Sequence, residues 1–123
     1  MKKLALVMIV FSLSMVILIS SCSKSSTQTA NLDSFSKCLA ESGVKFYGAF
    51  WCPHCQNQKE MFGNSFENIG YIECSLPDKS GQTQVCKDAE IMKYPTWEFK
   101  DGSRVQGEMT LLQLSQKSGC ELE

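Results

Sequence analysis

Residues 44–63 read VKFYGAFWCPHCQNQKEMFG, and their reading decides the fold. Val44 to Trp51 is aromatic and β-branched, lacks strict alternation, and is short enough to be a strand buried on both faces. It runs straight into Cys52. From Cys52 to Phe62 the residues are good helix formers, Pro53 is tolerated in a first turn, and Gly63 supplies a stop. Strand, cysteine pair and helix therefore follow one another without an intervening loop.

Working outward, Leu32, Phe35 and Leu39 fall on one helical face between Asn31 and Ser42, with Gly43 as a stop. Tyr71 to Cys74 is a short strand candidate and Leu76 to Gly81 a loop, while Val85, Ala89 and Met92 mark one face of a further helix. In Thr96 to Lys100, Trp97 and Phe99 share a face. Asp101-Gly102 predicts a two-residue hairpin turn, and Ser103 to Gln106 can return antiparallel. Thr110 is a good N-cap for a last helix carrying Leu111 and Leu114 on one face and ending at Gly119. Two βα units followed by a hairpin and a helix predict an α/β fold, a small mixed sheet covered by helices, because parallel strands need crossovers and both sheet faces need burial.

The cysteine pair has a readable chemistry. Cys52 sits where a helix begins, and there the macrodipole and unpaired backbone N–H groups favour an anion such as a thiolate. A thiolate is the species that attacks a disulfide. Cys55 lies one helical turn on, so it can reach back and resolve a mixed disulfide. Pro53 and His54 stand between them, and a hydrogen-bonding or protonated imidazole beside Cys52 would favour the thiolate further, making the disulfide more oxidising.

The chain opens with Met1, Lys2 and Lys3, then an apolar and small-residue run from Leu4 to Ile19, the pattern of an export signal. The run is short for a membrane span and holds Ser12 and Ser14. Ile19-Ser20-Ser21-Cys22 resembles the bacterial lipobox, which implies cleavage after residue 21 and lipidation of Cys22. Ser23 to Ala30 is polar and small and reads as a flexible tether. The expected organisation is thus a signal peptide over 1–21, a lipidated cysteine and tether over 22–30, and a folded domain over 31–123. The lipid would anchor the domain to a membrane of the bacterial cell envelope, outside the cytoplasm.

Removing residues 1–21 takes away Lys2 and Lys3, leaving 10 basic against 13 acidic residues and a net charge of about −3. No Lys/Arg run appears, so nucleic-acid binding has no electrostatic support. Of the seven cysteines, assigning Cys22 to lipid leaves an even six. In an oxidising space, structural bridges are expected in a domain this small. With Cys52 and Cys55 as one pair, the other four allow three connectivities. We favour Cys74 with Cys86, which closes a short local loop, and Cys38 with Cys120, which would tie the first helix to the last.

Trp51-Cys52-Pro53-His54-Cys55 at a strand-to-helix junction resembles the active site of the thioredoxin superfamily, and its Pro-His centre resembles the DsbA-type oxidases. Tyr94-Pro95-Thr96 resembles the superfamily's cis-proline loop, which implies that Tyr94 and Pro95, with Trp51, face an extended substrate segment. A closer resemblance covers nearly all of Val44 to Gly119. The quoted run, then Tyr71-Ile72-Glu73-Cys74-Ser75, Val85-Cys86 and Tyr94-Pro95-Thr96-Trp97-Glu98, is similar to the thioredoxin-like domain associated with bacterial vitamin K epoxide reductase homologues.

The resemblance implies a thioredoxin-like fold and disulfide exchange with protein thiols; the Pro-His centre tilts the direction toward oxidation, and we expect a monomer without a bound cofactor. The same resemblance also implies an additional disulfide at the places of Cys74 and Cys86, and electron transfer to a membrane quinone reductase of the vitamin K epoxide reductase type, here expected to be a separate protein. One position departs from the superfamily pattern: six residues before the first cysteine, where many members carry a buried acid, stands Phe46. A proton acceptor for Cys55 is therefore missing from its usual place. The competing reading is a lipid-tethered module holding copper or zinc on the same thiols. Zinc needs about four ligands, however, and neither a second CxxC nor a histidine pair exists, so no metal site is expected.

Overall fold

The structure is a computed structural model that describes residues 26–122, with side chains from Leu32 onward. The expected signal segment and Cys22 lie outside the described residues. Helix α1 spans Ser26–Glu41, strand β1 Lys45–Gly48, and helix α2 Pro53–Phe62; a 3-10 helix follows over Gly63–Asn68. Strand β2 is Gly70–Glu73, helix α3 Gln84–Asp88, strands β3 and β4 Thr96–Glu98 and Arg104–Gln106, and helix α4 Leu111–Ser118.

The four strands form one mixed sheet in the order β2-β1-β3-β4. Strand β1 pairs parallel with β2, Phe46 opposite Tyr71, and antiparallel with β3, Phe46 opposite Trp97. A βα-β unit joined to a hairpin and a helix is the α/β arrangement of the thioredoxin-like fold.

Strand β1 is buried on both faces because its side chains alternate between two cores. Phe46 joins Phe35 and Leu39 of α1, Cys55 and Phe62 of α2, Trp97, and Leu114 of α4. Tyr47 points the other way, into a smaller cluster with Cys74, Cys86 and Ile91. Trp97 and Phe46 meet edge to face at 4.6 Å between ring centres. Such a pair adds about 1 kcal/mol to what burial itself contributes.

Two disulfides staple these layers. Cys38 of α1 bonds Cys120, just beyond α4, and Cys74 bonds Cys86 of α3. Helix α4 carries both capping signals: Thr110 and Gln113 form a capping box, and Gly119 closes the other end in the left-handed region.

Three local expectations need correction. The first helix begins at Ser26, inside the segment whose composition reads as a tether, because prolonging a formed helix adds one hydrogen bond per residue and escapes the nucleation cost. Helix α3 is only five residues long and buries Cys86, whereas Val85 is 51% and Met92 82% exposed. There a disulfide fixes which face turns inward, overriding the apolar spacing. The hairpin is closed by a three-residue loop, Lys100-Asp101-Gly102, and not by Asp101-Gly102 alone. Gly102 N–H donates to Phe99 O and Phe99 N–H to Ser103 O, with Gly102 at φ +77°.

Candidate active site

The backbone turns extended at Cys52 (φ −78°, ψ 120°), which makes it the N-cap of α2 with Pro53 in the first turn. Cys52 and Cys55 both carry free thiols. They differ in access: Cys55 is fully buried, while Cys52 keeps 6% of its surface open. Exposed Phe50 and Trp51 flank it on the chain. The outer thiol is thus the one a partner can reach.

The Tyr94–Pro95 peptide bond is cis, and it places the Tyr94 carbonyl 3.8 Å from Cys52 Sγ. Trp51 completes the rim: its Nε1 donates to Ser75 Oγ at 2.7 Å, and its ring meets Tyr94 edge-on. Gln82 in turn donates to the Tyr94 hydroxyl at 2.7 Å. The loop over 75–82, rooted at the Cys74–Cys86 bridge, therefore holds both aromatic side chains beside Cys52. The sequence-predicted residues Trp51, Cys52, Pro53, His54, Cys55, Tyr94 and Pro95 come together at one end of the sheet. Cys38 and Cys120 instead join α1 to the C-terminal segment.

Five further residues belong to the site and escaped the sequence reading. His54 Nδ1 lies 2.6 Å from Glu108 Oε1, and Asn57 donates to the same oxygen at 3.3 Å. Those bonds, His54's above all, hold the Glu108 carboxyl below the usual carboxylate range. A carboxylate can only accept, so Nδ1 of His54 carries the proton in this contact. Gln58, buried on the same face of α2 as Cys55 and Phe62, fixes the segment that delivers Glu108. It donates to Met109 O at 2.9 Å and accepts from Met109 N–H at 2.7 Å. Ser75 orients Trp51. Glu73 accepts from the Phe50 and Ser75 backbone N–H groups at 3.3 and 2.8 Å, pinning the approach to the motif. Gln58 alone had a sequence signal, a polar residue on an otherwise apolar stripe.

Behind the pair, Phe46 is buried and apolar. Gly48 stands against Cys55 so closely that a Cβ there would lie 3.0 Å from Sγ, and the sulfur would have to give way to admit it. Burial pushes the Cys55 thiol up to about 12; a backbone hydrogen bond with Ala49 works against it, Cys52 acts in the same direction as burial, and the charge of Lys59 opposes it to a smaller extent. The two thiols thus occupy different environments, one at the rim and one sealed beneath it. Among the described residues no three of His, Cys, Asp and Glu come together in a set that could hold a metal ion.

No protein-family model matches the chain. Among similar proteins is "Thiol-disulfide oxidoreductase LTO1" of Arabidopsis thaliana, 39% identical over 104 residues. The match covers 80% of this chain and 27% of that protein, so the chain spans well under half of the relative's length.

Proposed function

We propose that this protein is a thiol–disulfide oxidoreductase acting on protein thiols, with Cys52 as the exchanging sulfur and Cys55 as its partner. One observation carries the reading: a reachable thiol at a helix N-terminus beside the Tyr94 carbonyl, with a second, fully buried thiol one turn behind it. Similarity to a thiol-disulfide oxidoreductase over most of the chain supports it.

In the oxidising direction the pair starts as a disulfide. A substrate thiolate attacks Cys52 Sγ, the Cys52–Cys55 bond breaks, and Cys55 leaves as a thiolate that takes up a proton. A second substrate thiolate then attacks the substrate sulfur of the mixed disulfide and releases Cys52. The substrate is oxidised by two electrons and the protein reduced by two. A membrane quinone reductase of the vitamin K epoxide reductase type would reoxidise the pair. Extended substrate backbone would lie against Trp51 and Tyr94, where a carbonyl and two aromatic side chains stand beside the reactive sulfur, while Pro95 is buried and shapes the loop from beneath. The export-signal pattern and Cys22 support a lipid-anchored, extracytoplasmic location.

The oxidising direction rests on Pro53 and His54 standing between the two cysteines, and the test is the equilibrium reduction potential of the Cys52/Cys55 pair. Titrating the full chain against glutathione is expected to give a value near about −120 mV, that of a disulfide donor. A value near about −270 mV, that of thioredoxin, would overturn the direction.

A further inference from the structure

Exchange in either direction makes Cys55 an anion. It is the leaving group when a substrate opens the disulfide, and the nucleophile when it resolves a mixed disulfide on Cys52. Its site is poorly suited to charge, being fully buried and backed by Phe46 and the bare backbone of Gly48. An isolated charge in such surroundings is costly unless a counter-charge stands nearby.

Few charged or titratable groups face this site. From α2 itself come Cys52 and Lys59, the latter four residues beyond Cys55 and so on the same helix face. From β2 comes Tyr71, with Glu73 behind it. Lys59 is half-buried, and among the described residues it forms no ion pair. Its ammonium instead lies 3.8 Å from the centre of the Tyr71 ring, a close cation–π contact.

That ring belongs to the wall of the Cys55 site. The point where a Cβ on Gly48 would lie is 3.0 Å from Cys55 Sγ and 3.2 Å from Tyr71 Cε2. The ring is itself clamped, because the Tyr71 hydroxyl donates to Glu73 Oε2 while Glu73 Oε1 accepts from the Phe50 and Ser75 N–H groups. Glu73 is thus committed to Tyr71 and the backbone, and the Lys59 charge is left to act on Cys55.

We propose that Lys59, held over the Tyr71 ring by the Tyr71–Glu73 clamp, is the counter-charge for the Cys55 thiolate, with Tyr71 and Glu73 as positioning residues. This rests on Cys52 and Cys55 being an exchanging pair, since only exchange makes Cys55 an anion. The lysine acts on the resolving step and leaves the first attack by Cys52 unchanged. Its effect opposes that of burial on the Cys55 thiol, the direction in which the Lys59 charge acts there.

The two steps separate in stopped-flow reaction of the reduced full chain, carrying Cys22→Ser, with 5,5′-dithiobis(2-nitrobenzoate). Cys52 attacks first and releases one thionitrobenzoate. Cys55 then attacks Cys52 Sγ and displaces the second, its proton passing to solvent. Lys59→Met is expected to slow the second release about tenfold below pH 9 and to move its pH profile upward by about one unit, the size of shift a nearby charge produces. The first release should stay within about twofold, and Lys59→Arg, which keeps the charge, should retain the second.

A second release unchanged in Lys59→Met, or both releases slowed equally, would overturn the assignment. An unmodified chain that gives the first release and never the second would instead overturn the exchange reading, and the Lys59 assignment with it.

Discussion

Cys52→Ser is expected to abolish disulfide exchange, lowering turnover of a disulfide-bonded peptide by at least about a thousandfold, because a hydroxyl supplies no thiolate at neutral pH. Access separates the two thiols. Cys55 has no exposed surface and its thiol is pushed up to about 12, so at pH 7 it holds almost no thiolate and no partner can reach it. It therefore cannot substitute for the sulfur at the rim. Steady-state turnover of the Cys52→Ser chain against the parent measures this, and retention of more than about a tenth of parental activity would contradict the roles assigned to the two thiols. Circular dichroism should be unchanged, since the substitution is nearly isosteric and the residue already sits at a helix N-cap, where serine is favoured.

The second large effect concerns stability. Removing the Cys38–Cys120 bridge with Cys38→Ala/Cys120→Ala is expected to cost about 4.5 kcal/mol, because the bridge joins residues 82 apart and constrains most of the unfolded domain. A domain of this size is stable by only about 5–15 kcal/mol, so the loss approaches the whole in the lower part of that range. The melting temperature should fall by about 20 °C or more, given about 4–8 °C per kcal/mol for domains of 60–100 residues. Urea unfolding of the oxidised double variant against the parent measures the change. A loss under about 1 kcal/mol would mean that the packing of Phe35, Leu39 and Leu114 holds α1 and α4 to the sheet without help from the bridge.

Much of this architecture was legible before any coordinates, and the reasons are local. Val44 to Trp51 carries its own burial pattern, the motif falls where strand becomes helix, and Thr110 with Gly119 brackets α4 by capping chemistry that needs no tertiary partner. At α3 a distant contact decided the outcome: the inward face is set by the bond from Cys86 to Cys74, so the apolar spacing of Val85 and Met92 misleads. The other departures are local, and at the hairpin the Asp-Gly signal marks the turn correctly while the loop takes in Lys100 as well.

The site divides in the same way. Cys52, Cys55, Tyr94 and Pro95 announce themselves by residue type and spacing. Glu73, Ser75 and Glu108 have no such signature, because each acquires its role by meeting a residue 23 to 54 positions away: Phe50, Trp51 and His54. Phe46 shows the limit from the other side. Its sequence position reveals that an acidic group is missing behind Cys55, and only the fold brings Lys59 and Tyr71 to that place.

The central claim, exchange through a mixed disulfide at Cys52 resolved by Cys55, is tested most directly by trapping that species. With Cys55→Ala nothing inside the protein can release a partner once Cys52 has attacked. Incubating the reduced variant with a disulfide-bonded peptide and mapping the products by mass spectrometry is expected to yield a stable one-to-one adduct on Cys52, absent when Cys52→Ser is added. No adduct, or one on Cys38, Cys74, Cys86 or Cys120, would contradict the account.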